Sequence, residues 1–90
     1  MEHLLPKEVP TVGTVIGLGY EFASEQYIYE STVIRTGEII QNPETENEKI
    51  RYSILLADQK HECFYQDGKW SVTIIGLKGS YPATVTIQTK

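Results

Sequence analysis

The chain has 90 residues, a formal net charge of −4, 40% hydrophobic residues and a single cysteine, Cys63. That length supports one domain with one core and no deep cleft, and a lone cysteine excludes an internal disulfide. Val, Ile and Thr supply twenty-five residues and Ala three, a bias toward side chains that stiffen at χ1 and fit a pleated sheet.

Residues 1–10 are expected to be a lead-in interrupted by Pro6 and Pro10, with Leu4 and Leu5 packing onto the domain or a partner, and residues 11–90 a single β domain. From Thr11 to Phe22 the even positions Val12, Thr14, Ile16, Leu18, Tyr20 and Phe22 alternate with mostly Gly or Thr, which predicts a strand with one apolar face, with a bulge or coiling marked by Gly13, Gly17 and Gly19 or, as the alternative, a break at Gly17–Gly19. Ala23–Gln26 reads as a turn or one helical turn capped by Ser24. Tyr27–Ile34 is β-rich, Thr36-Gly37 punctuates, and Glu38–Gln41 begins another strand. Residues 42–48 form a polar, acidic loop. Ile50–Leu56 alternates cleanly, Asp58-Gln59-Lys60 turns the chain, and His61–Tyr65 follows. Asp67-Gly68 is a type I′ hairpin signal. Trp70, Val72 and Ile74 line one face of the next strand, and Thr84–Thr89 is the last.

Five to seven short antiparallel strands joined by tight turns predict a small barrel of SH3-like or Tudor-like kind, with a small β-sandwich as the alternative. Tyr20-Glu21-Phe22, Ile34–Ile40, Trp70 and Gly79-Ser80-Tyr81-Pro82 resemble elements of SH3 domains, and the resemblance implies architecture alone. Some twenty additional residues separate Ile40 from Trp70, the double Trp is single, and the Tyr that follows the Pro is missing.

Charge is uneven. Residues 21–48 hold seven acids and the one base Arg35, whereas residues 49–90 hold three acids and six bases. No concentrated basic footprint of the kind that phosphate-backbone binding requires is present, so a nucleic-acid partner is not expected. No apolar run approaches the roughly 18 residues of a membrane span, and Met1–Lys7 lacks the basic and apolar regions of a signal peptide. A cytoplasmic protein is expected, in the host's cytoplasm if the gene is viral.

The chemical motifs are weak. His61 and Cys63 share a strand face, but no third group orients them as a nucleophile pair; the expected state is a half-buried Cys beside an exposed His. Two His and one Cys fall short of a zinc set. Glu44, Glu46 and Glu48 lack calcium-loop spacing, and Gly17-Leu18-Gly19 has no helix behind it to cradle phosphate. Neither a catalytic function nor a cofactor is expected.

Tyrosines are abundant, and such amphipathic rings are enriched in binding patches. The sequence therefore predicts a non-catalytic protein-interaction module, an accessory or inhibitory subunit. Its contact surface is built from Tyr20, Tyr27, Tyr29, Tyr65, Trp70 and Tyr81, rimmed by Glu25, Glu30, Glu44, Glu46 and Glu48, and faces another protein with a basic surface. The alternatives are a homo-oligomeric structural subunit assembled through edge strands such as 84–89, and a small-ligand or glycan binder that stacks on Trp70.

Overall fold

Alternation decides which way each strand faces. In β1 (Val15–Phe22), Ile16, Leu18 and Tyr20 are buried, while Gly17, Gly19 and Glu21 point the other way. The computed structural model describes residues 9–88, so the expected docking of Leu4 and Leu5 lies outside the described residues. The remaining strands are β2 (Glu25–Gln41), β3 (Lys49–Leu56), β4 (His61–Gln66), β5 (Lys69–Ile74) and β6 (Tyr81–Ile87). Each pairs antiparallel with the next, and β6 returns to β1 to close a six-strand barrel. The fold is all-β, and a small SH3-like barrel fits it where a two-sheet sandwich does not.

Closure requires a stagger. Cross-strand partners run from Tyr27 to Tyr20, Ala83, Trp70, Tyr65, Tyr52 and finally Glu38. The row therefore returns to β2 eleven residues (38 − 27) beyond its start. β2 accommodates this by serving two ladders: residues 25–32 pair with β1 and residues 33–41 with β3, with a register shift between Val33 and Arg35. The break expected at Thr36-Gly37 does not occur. Gly37 pairs in register with Ser53, and the bulge just upstream takes up the bend instead.

Two tight hairpins set the register of their neighbours. Ala23 and Ser24 have φ of 54° and 68°, the paired positive values of a type I′ turn, so the helical alternative for this segment is replaced by a two-residue hairpin. Asp67 and Gly68, with φ of 52° and 79°, form the hairpin that the sequence predicts. The first strand begins at Val15 because Thr11–Thr14 closes into a turn, with Thr14 N donating to Thr11 O at 3.1 Å. β6 starts at Tyr81 and runs through Pro82. Proline is tolerated there because the ladder to β1 stops at Ala83 and needs no N–H from its neighbour.

Seven residues with under 2% exposure fill the interior: Ile16, Leu18, Val33, Ile54, Leu56, Cys63 and Val72. Val9 packs onto this core, and Pro10 O accepts the Thr36 hydroxyl at 3.0 Å. Burial, together with the charges of Asp58 and Glu62, pushes the Cys63 thiol up to about 12, so the buried thiol keeps its proton at neutral pH.

Leu18→Ala should cost about 3 kcal/mol in urea unfolding, the range for emptying a large core position; a loss below about 1 kcal/mol would place Leu18 outside the core. Cys63 should resist a maleimide in the folded protein and react at the rate of global opening. Prompt labelling under native conditions would show a barrel more open than described.

Candidate functional site

Among the described residues the first half of β2 has β1 on one side only, so its inward side chains have no full core to fill. Tyr27 stands opposite Tyr20, and Tyr29 opposite Leu18. The three tyrosine rings stack: Tyr20–Tyr27 at 5.6 Å, Tyr20–Tyr29 at 6.1 Å and Tyr27–Tyr29 at 6.4 Å, the last pair only 3° from parallel. Phe22 meets Tyr81 edge-on at 5.3 Å and extends the cluster across β6. Burial grades outward through this stack. Tyr20 is 8% exposed, Tyr27 half-buried and Tyr29 38% exposed, so rigid rings at the base support wet rings at the rim.

A polar relay running from the part-exposed Asp58 to the buried Tyr20 anchors the base. Asp58 Oδ2 lies 2.7 Å from His61 Nδ1, and His61 Nε2 lies 2.9 Å from the Tyr20 hydroxyl. A carboxylate only accepts, so Nδ1 donates to Asp58, and in the neutral ring Nε2 then accepts the Tyr20 O–H. Asp58 Oδ1 also accepts the backbone N–H groups of Lys60 at 2.9 Å and His61 at 3.2 Å. Burial alone would push the Asp58 carboxyl up, but these backbone bonds and the His61 ring outweigh it and hold the group below its ordinary value of 3.8. Burial, reinforced by the Tyr29 and Tyr27 hydroxyls and the Asp58 charge, pushes Tyr20 up to about 12. Hydrogen bonding to Glu25, at 3.2 Å, raises Tyr27 as well.

The exposed His expected beside a half-buried Cys is corrected: His61 is 5% exposed and Cys63 fully buried. Both ring nitrogens of His61 are engaged by oxygen partners, so the residue is held as a strut. Among the described residues no group of three His, Cys, Asp or Glu side chains is placed to hold a metal.

The other expected site residues divide. Tyr65 and Trp70 form a second, half-buried group with Tyr52, with centroids 4.9 and 6.5 Å apart. It is separated from Tyr20 along the same cross-strand row by Ala83. Tyr81 borders both groups, because it also lines, with Trp70, Pro82 and Val85, a slot of about 650 Å³ between β5 and β6. Glu25 and Glu30 flank the tyrosine stack on β2, where Glu30 accepts from Gln88 Nε2 at 2.6 Å. Glu44, Glu46 and Glu48 are not brought to it: their loop follows Gln41, at the opposite end of the 17-residue β2. That loop closes on itself through Glu44 N to Glu48 Oε1 at 2.9 Å, and the adjacent Lys49 pairs with Asp67 of the β4–β5 hairpin at 3.7 Å.

Three members of the site escape a strand-by-strand reading: Phe22, Asp58 and His61. The spacing of Asp58 and His61 across a three-residue turn is the one sequence signal that links them, since an Asp there can accept from the backbone two and three residues on.

The relay is testable by pH. A carboxyl with a depressed folded pKa stabilises the fold above its ordinary titration range, and that contribution is lost as pH falls through the folded value. Asp58→Asn should therefore be less stable than the parent at pH 7 by about 1 kcal/mol, a figure discounted for partial exposure, and the gap should close in acid. A gap independent of pH would remove Asp58 from the relay. Tyr20→Phe, which strands a buried imidazole nitrogen, should cost about 1–2 kcal/mol. No protein-family model, curated protein or solved structure matches the chain.

Proposed function

We propose that this barrel is a non-catalytic interaction module that binds another protein through the Tyr20–Tyr27–Tyr29 stack and its Phe22–Tyr81 extension. The observation that carries the reading is the graded burial of that stack. Tyr27 and Tyr29 are ordered by stacking on a ring that is itself fixed by His61 and Asp58, yet both retain solvent-facing surface. Aromatic side chains held rigid before binding lose little entropy on association, which is what an anchor residue needs. The acidic neighbours Glu21, Glu25 and Glu30 favour a partner with basic character. In this reading Asp58 and His61 serve to hold Tyr20, and through it the stack, in place.

A second reading, self-assembly, has its own observation. The β5–β6 ladder covers only residues 81–83 of β6. Gln88 N donates to Val15 O, so by alternation the backbone groups of Val85 and Ile87 face away from β1 and have no strand partner among the described residues. Pairing of two copies there would produce a mass that rises with concentration in light scattering, and a constant monomer mass would reject it.

The leading reading is tested by Tyr27→Ala/Tyr29→Ala. Affinity capture with mass spectrometry should recover a stoichiometric protein partner with the parent and lose it with the variant, at an almost unchanged melting temperature. A variant that fails to fold would instead make these rings part of the core and defeat the proposal.

A further inference from the structure

β2 carries an open edge beside the tyrosine stack. Ala57 N donates to Thr32 O at 2.9 Å, so the even-numbered residues of this half of β2 direct their main-chain groups away from β1, and the odd-numbered ones toward it. Toward the N-terminus of β2, the ladder to β3 ends at the Val33–Leu56 pair. Among the described residues, the N–H and C=O groups of Gln26, Ile28 and Glu30 therefore have no strand partner. Natural proteins blunt such edges with charged side chains, proline or a covering loop; Glu25–Glu30 has no Lys or Pro, and the charges on this edge are the acids Glu25 and Glu30. The edge instead displays Ile28, 81% exposed and the most exposed large apolar side chain among the described residues.

Charge selects the occupant. Glu21, Glu25 and Glu30 lie on this hairpin, and no Lys or Arg occurs between them; the nearest base downstream, Arg35, is paired with Glu62 at 3.8 Å. A second copy docking on the same edge would bring two acidic strands together with no base to balance them. An added strand would have one face beside Tyr27, Tyr29 and Glu25, and the other beside Ile28 and Glu30. The first face suits a cation lying on an aromatic ring next to a carboxylate. The second suits an apolar side chain against Ile28 with a base near Glu30.

We propose that the open β2 edge at Gln26–Glu30 receives an extended basic segment of a partner protein as an added strand, with a Lys or Arg side chain lying on the Tyr27–Tyr29 face. This inference rests on the interaction reading above and specifies its chemistry: main-chain hydrogen bonds hold the segment, and side-chain charge selects it.

The probe is a short capped peptide alternating Lys or Arg with Val, titrated into the isotope-labelled full chain, with a Glu-for-Lys/Arg peptide as control. The basic peptide should bind saturably and shift the amides of Gln26, Ile28 and Glu30, and the acidic one should not bind. Glu25→Lys/Glu30→Lys should weaken binding by about tenfold or more. Ile28→Pro, which deletes an outward-facing N–H without touching the β1 ladder, should weaken it similarly. Circular dichroism checks both folds, and if the proline variant does not fold, the charge reversal alone decides. Absence of binding at millimolar peptide would overturn the proposal, as would equal binding of the acidic peptide, shifts confined to Thr84–Ile87, or self-association through the β2 edge. Failure of strand addition is separable from failure of the interaction reading. A natural partner lost by Tyr27→Ala/Tyr29→Ala but kept by Ile28→Pro refutes strand addition alone, and one kept by both variants refutes both.

Discussion

A sheet of six short strands closes on itself only if its strands tilt and its register staggers, and β2 is where this chain absorbs the stagger. Seventeen residues long, it pairs with β1 through its first half and with β3 through its second. The bulge between Val33 and Arg35 lets one continuous strand change partners without a loop. Because the two ladders are displaced along β2, each leaves part of an edge uncovered. The same displacement on the far side of the barrel restricts β5 and β6 to three paired positions. The edges left without a strand partner among the described residues, at Gln26–Glu30 and at Val85–Ile87, are therefore consequences of closure at this strand number and length.

The aromatic face has the same origin. Inward residues on the second half of β1 and the first half of β2 look into a barrel whose opposite wall has already turned at Asp58–Lys60. Leu18 and Tyr20 still reach the core, whereas Tyr27 and Tyr29 extend past it and stack outward. The turn that ends the opposite wall supplies the Asp58–His61 pair that fixes Tyr20. No buried side-chain N or O atom among the described residues lacks a hydrogen-bond partner, so this network carries little penalty for its burial. Stability and the aromatic face are thus linked through one hydroxyl: Tyr20 is both the last residue of the core and the base of the stack.

Local features of this fold are legible in the sequence, and long-range ones are not. Alternation in Ile50–Leu56, the Asp67-Gly68 turn and the apolar even positions of β1 are written in nearest-neighbour chemistry. Thr36-Gly37 misleads because Gly signals a turn only where φ is positive or a backbone must approach closely, and here Gly37 simply continues the ladder opposite Ser53. The positive φ of Ala23 and Ser24 is imposed by the pairing of Phe22 with Glu25, since neither residue favours it. The burial of His61 depends on Tyr20, forty-one positions away in sequence. Tyr20, Tyr27, Tyr29 and Tyr81 were identifiable as candidates by residue type, but only the stagger shows that they meet while Glu44, Glu46 and Glu48 lie at the other end of β2.

Amide hydrogen exchange on the free protein tests the staggered closure most directly. Closure requires slow exchange at Thr84, Thr86 and Gln88, whose N–H groups face β1. On β2, slow exchange at Tyr27 and Tyr29 should alternate with fast exchange at Gln26 and Ile28. Uniform protection along residues 25–30 would mean that the β2 edge is covered, and rapid exchange at Thr84 and Thr86 would mean that the barrel does not close. Either result would contradict the structure's central feature.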